Sequence, residues 1–170
     1  KTPIIVFINK MDREGKDAFD LLDEVETKLG LHVTHLSWPV GMGQRFKGVY
    51  SLYEKNLILF SPHGKQEDED IFKITDLNDE LLDQKVGKAP ADELRDEINT
   101  IVSVYPDFKR EEYLSGEICP VFFGSAVNNF GVRELLDCFV DIAPNPLPRE
   151  TEEREVTPEE KKFSGFVFKI

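Results

Sequence analysis

Asn9, Lys10 and Asp12, set in Asn9-Lys10-Met11-Asp12, are side chains whose types and spacing suit the recognition of a purine. An ionised carboxylate only accepts hydrogen bonds. The Watson–Crick edge of guanine offers two adjacent donors, the ring imino group and the exocyclic amine, and one Asp can take both as a fork; adenine offers no such pair. The Asn9 amide can bond the guanine edge and neighbouring loops, and the aliphatic stem of Lys10 can cover the base face. Three fixed positions arise by chance in roughly one chain in fifty of this length. The plainer reading of these residues is therefore a polar loop after a strand, or a cap for the next helix, and the setting has to decide.

The setting is that of a ligand loop. Residues 3–8, Pro3-Ile4-Ile5-Val6-Phe7-Ile8, form an unbroken apolar run that reads as a strand buried on both faces of a parallel sheet. Ligands of open parallel sheets gather outside the carboxyl ends of the strands, where Asn9, Lys10 and Asp12 would be delivered. Asp17 can cap a helix running to about residue 29, with a stripe of Phe19, Leu22, Val25 and Leu29 broken only by Glu26, and Gly30 supplies the stop. Residues 31–38 read as a second strand, completing a βαβ unit.

The same texture returns late in the chain. Residues 118–123 are apolar and end at Gly124-Ser125-Ala126; Asn128, Asn129 and Gly131 then lead into a helix over 132–142 with a stripe of Val132, Leu135, Leu136, Phe139 and Val140. A backbone N–H of the Ser125-Ala126 turn can donate to the six-position oxygen of guanine. Adenine carries an amine there, and the buried mismatch costs roughly 1–3 kcal/mol. Asn9, Lys10, Asp12, Ser125 and Ala126 are thus the candidate base-binding residues, with no catalytic residue and no metal ligand among them.

Between these units lies a different stretch. Residues 39–48 form a glycine-rich basic loop without the G-x-x-x-x-G-K-[ST] pattern, and read as a structural or partner-contacting loop. Residues 49–53 and 57–60 suggest a hairpin, 61–70 a solvated loop with an acidic run, 71–74 a strand, and 77–82 a short helix. Pro90 opens a helix over 91–104, and 109–114 adds a last turn or two. His32, His35 and His63 have no ligand-spaced partners, and Cys119 and Cys138 read as free thiols.

Composition sets the outer bounds. With 170 residues and 40% hydrophobic content, the chain can bury a core, as one domain or a domain and part of another. The net charge of −12 argues against a surface that binds nucleic acid without specificity. No membrane and no sequence-specific DNA partner is expected. Opening in a core strand and closing on alternating residues, the chain reads as an internal fragment.

At this point the residues resemble the translational GTPases. Asn9, Lys10 and Asp12 are similar to the family's fourth GTPase motif, and Ser125 and Ala126 to its fifth. Trp38-Pro39-Val40-Gly41-Met42-Gly43 with Arg45-Phe46-Lys47-Gly48-Val49-Tyr50, and Phe163-Ser164-Gly165-Phe166-Val167-Phe168-Lys169-Ile170 at the close, resemble the release-factor branch of that family most closely. The resemblance implies an α/β fold: the C-terminal part of a P-loop GTPase G domain over 1–145, carrying an α+β insertion at approximately 39–117, a linker over 146–162, and the first strand of a β-barrel domain from 163. It implies GTP or GDP as ligand, Mg2+ in the full-length protein with its ligands absent here, a cytoplasmic setting, and the ribosome and codon-reading release factors as partners. The activity implied is GTP hydrolysis by a termination factor that recycles those release factors. Alternatives are an elongation factor G-like or ribosomal protection GTPase and, in another class, a protein-interaction module with vestigial guanine loops. No P-loop stands in these residues, so the chain alone is expected to be inactive, and its exposed sheet edge to invite self-association.

Overall fold

The structure, a computed structural model, describes residues 2–61, 70–165 and 167. β1 (Val6–Ile8) leads through α1 (Ala18–Leu29) to β2 (His32–His35). Local chemistry sets the helix ends. The Asp17 carboxylate accepts from the Phe19 N–H at 2.9 Å, and Gly30, at φ 63°, closes the last turn in the left-handed region. Glu26, the polar break in the stripe, accepts from the Val33 N–H at 2.8 Å and so ties the helix end to β2.

The run read as one strand over 31–38 is two. After His35 the chain leaves the first sheet: the Leu36 N–H donates to Val121, but its carbonyl accepts from Leu52 and Tyr53. β3 (Ser37–Val40) then pairs antiparallel with β4 (Gly48–Ser51), so Pro39 and Val40 belong to a strand and not to the loop expected there. Pro39 has no N–H to give, and β3 is an edge strand, where one side needs no partner. β5 (Asn56–Leu59) completes the expected hairpin and β6 (Ile71–Lys73) adds a fourth strand, in the order β3-β4-β5-β6. The acidic run at Glu67-Asp68-Glu69, with His63, lies outside the described residues.

α2 (Glu80–Val86) begins later than the helix expected over 77–82, because the Asp79 side chain accepts from the Leu81 N–H at 2.9 Å and fixes the start. α3 (Lys88–Val104) holds Pro90 in its first turn, where an N–H would have no partner within the helix. α4 (Arg110–Leu114) follows as a short turn. β7 (Ile118–Phe123) returns to the first sheet and lies between β1 and β2, parallel to both. α5 (Val132–Ile142) matches the expected span. Within 146–162, read as a linker, β8 (Arg149–Glu150) pairs antiparallel with β9 (Glu155–Val156). Phe163, Ser164, Gly165 and Val167 carry no strand, and Phe166 and residues 168–170 of the expected closing strand lie outside the described residues, as does Lys1.

Trp38 is the seam between the two sheets. It is fully buried, its ring lies 4.9 Å from Phe19 of α1 and 5.3 Å from Phe123 of β7, and its Nε1–H donates to Glu97 Oε2 of α3 at 2.7 Å. β1, expected to be buried on both faces, is half-buried, because it lies at the sheet edge with β7 on one side only. Cys119 and Cys138 are free and buried, and burial pushes both thiols up to about 11. Among the described residues no helix is long and apolar enough to cross a membrane.

Candidate functional site

Parallel pairing puts the two candidate loops side by side. Ile8 stands opposite Phe123 in the register, so the chain leaves β1 and β7 at the same end of the sheet. The ladder continues past the strands: the Gly124 N–H donates to Ile8 at 3.0 Å, and the Met11 N–H donates to Gly124 at 3.1 Å. Gly124 has to be glycine for this approach, since a Cβ there would lie 2.4 Å from the Phe130 carbonyl oxygen and 2.7 Å from the Phe7 ring.

Asn9 links the loops. Its Oδ1 accepts from the Lys10 N–H at 2.8 Å and from the Ala126 N–H at 2.9 Å. Lys10 sits at φ 70°, a conformation uncommon for a side chain with Cβ, and the bond from its own N–H to Asn9 helps to hold it there. Ala126, expected to present its N–H to a purine oxygen, spends it on Asn9. Ser125 is fully buried; its backbone bridges to Phe130 in both directions, and its Oγ accepts from Asn128 Nδ2 at 2.8 Å. Ser125 therefore shapes the loop from within, while Ala126 and Lys10 lie exposed.

Asp12 is different in kind. Its Oδ1 is buried and has no hydrogen-bond partner among the described residues. Buried polar atoms are nearly always paired, so an orphaned carboxylate oxygen calls for a donor from elsewhere. Asp12 lines a cleft of about 450 Å³, with Asn128 reaching it from the second loop. Gly43, Gln44 and Lys47 line it from a third loop, and Phe46 and Phe60 complete it.

That third loop was not assigned to the site from its residues. Its place follows from β3 and β4, whose pairing folds the intervening turn back over the Asp12 loop, and no local pattern encodes that. Asn128 stands three residues after Ser125, a spacing that lets its amide reach the Ser125 hydroxyl once the turn closes.

Among the described residues, no three His, Cys, Asp or Glu side chains are grouped to hold a metal. The site offers one carboxylate, amides and an ammonium group. That set suits a nucleobase edge. A family model, the Elongation factor Tu GTP binding domain, matches residues 1–145.

Proposed function

As the chain belongs to the translational GTPases through that GTP-binding domain, we propose that Asn9, Lys10, Asp12, Ser125 and Ala126 form its guanine-reading site. The observation that carries the reading is the buried Asp12 Oδ1, unpartnered among the described residues, beside a second loop locked to the first by Asn9. The Asp12 carboxylate takes the imino and amine donors of guanine. The six-position oxygen meets the Ala126 N–H, sharing it with or displacing Asn9 Oδ1. The stem of Lys10 covers the base, and Ser125 keeps the turn in shape through Asn128.

Members of the family hydrolyse GTP, and phosphoryl transfer depends on groups around the γ-phosphate. Of these, residues 1–170 contain no P-loop, and we assign the phosphate and magnesium contacts to other parts of a longer protein. The segment from β3 to α4 is an insertion between base-reading halves of the G domain. Its Trp38-to-Tyr50 stretch resembles peptide chain release factor 3, which supports a cytoplasmic, ribosome-bound GTPase that recycles codon-reading release factors. The 170-residue chain by itself neither hydrolyses GTP nor binds GDP appreciably, and it self-associates through the open edge of β1.

Two measurements test these readings. Asp12→Asn in the full-length protein shifts preference from guanine toward xanthine nucleotides, because the amide can donate to the oxygen that xanthine carries at C2. An unchanged preference rejects the site and favours an interaction module. Calorimetric titration of the 170-residue chain with GDP is expected to show no binding in the micromolar range.

A further inference from the structure

The backbone around Asp12 is gripped from two sides. The Met11 N–H is held by Gly124 at 3.1 Å, and the Met11 carbonyl accepts from the Gly43 N–H at 2.9 Å. Met11 itself is buried, at 2% exposure. The peptide that carries Asp12 is therefore fixed by the second base loop at one end and by the turn after β3 at the other.

The turn is itself rigidly seated. It is a single 3-10 turn, Gly43–Arg45, and the Lys47 N–H donates to Val40 while the Lys47 carbonyl accepts from Phe60. Phe46 packs at 5.0 Å from Phe60 and 5.7 Å from Phe130, and Phe130 bridges Ser125. Gly43 has φ 60°, and an added Cβ would lie 2.1 Å from Glu14 Oε1, the same oxygen that accepts from the Gln44 N–H at 3.3 Å. The Glu14 carboxylate thus lies over Gly43, and only glycine combines that approach with that backbone conformation.

We propose that Gly43, aided by Glu14, is a positioning residue for guanine recognition: the turn after β3 sets where the Asp12 carboxylate stands, and so ties the antiparallel sheet to the occupancy of the base site. This rests on the guanine reading above. Gly43 lines the same cleft as Asp12 but brings no side chain to it, and its N–H is spent on Met11, so its hold on the base runs through Met11 and Asp12. A fork of two hydrogen bonds tolerates little displacement, because hydrogen bonds weaken steeply as they bend.

A double-mutant cycle in the full-length protein tests this, with GDP affinity as the readout. Gly43→Ala weakens GDP binding about tenfold when Asp12 is present. In an Asp12→Ala background, the same change costs less than about twofold, because the group it positions is gone. Equal losses in both backgrounds, or no loss in either, overturn the proposal. If Gly43→Ala fails to fold by circular dichroism, Glu14→Ala takes its place in the cycle, with an expected loss of about threefold and recovery in Glu14→Gln, which keeps the acceptor oxygen. Loss in Glu14→Gln equal to that in Glu14→Ala, or none in Glu14→Ala, overturns it too. Failure of the underlying reading is a separate result: Asp12→Ala then binds GDP as tightly as the wild type.

Discussion

The two sheets differ in where they leave strands open. In the antiparallel sheet, β3 and β4 are buried at every position, and burial fades outward through β5 to β6, which has no buried residue. In the parallel sheet only β7 is buried throughout, and β1 is half-buried along its length. The parallel sheet carries both candidate base loops, one of them after its half-buried edge strand, and the buried β3–β4 pair holds the turn that grips the Asp12 loop. A ligand loop needs room at the end of its strand; the turn that steadies it needs a packed foundation. Here the two requirements are met by different sheets joined at Trp38.

If Trp38 is the joint, removing it has the largest effect. Trp38→Ala deletes a fully buried ring packed on Phe19 and Phe123, and a cost of about 3–5 kcal/mol is expected in urea denaturation. Glu97 adds to it, since burial already pushes its carboxyl above the usual range and it would lose the indole donor. A cost below about 1 kcal/mol would place the joint elsewhere.

The parallel sheet was the more legible of the two. The span of α5, the Asp17 cap and the strand at 118–123 follow from short-range signals, and so does the presence of polar loops after its strands. What escaped was partner choice. Residues 31–38 read as one strand because apolar and polar residues mix through both halves with no Gly or Pro between them; the switch at Leu36 is made by bonds to Val121 on one side and to Leu52 and Tyr53 on the other. Those partners lie far along the chain or across a turn, and no period marks them. The contribution of Gly43 to the site stayed hidden for the same reason: its bond to Met11 depends on where β3 ends. Edge position was equally illegible at β1, where an apolar run looks the same with one neighbour or two.

The junction also titrates. His35, last in β2, is buried with its ring edge-on to Tyr105 at 5.8 Å, and its Nδ1 has no partner among the described residues. Burial pulls its pKa from 6.5 down to about 4; Asp107 pulls weakly the other way, and Lys55 adds to the lowering. The folded value lies below the unfolded one, so the unfolded chain binds more protons between them. Stability is therefore full above about pH 6.5 and falls as pH drops toward 4, by up to about 3 kcal/mol. Glu97 acts with the opposite sign, its raised value contributing stability at low pH that is lost as pH rises through it. His35→Phe, which keeps an aromatic ring beside Tyr105, is expected to flatten the curve between pH 6.5 and 4 in denaturation series. An unchanged slope there would assign the acid sensitivity to carboxylates alone.

The smallest effect sharpens the comparison most. In the antiparallel sheet, Leu57 is fully buried, and Leu57→Ala is expected to cost about 2–5 kcal/mol. Phe139, on α5 beside β1, is half exposed, together with Leu136 and Val140. Phe139→Glu is therefore expected to change stability by no more than about 0.5 kcal/mol, while lowering self-association of the chain in sedimentation velocity. The two readouts separate the possibilities cleanly. A large stability loss would mean that this face is packed in the folded monomer, and the contrast between the sheets would be lost. A small loss with unchanged association would keep the contrast and separate this face from the proposed contact at the edge of β1, leaving the groove lined by Val6, Ile8 and Val25 as the next apolar surface to vary.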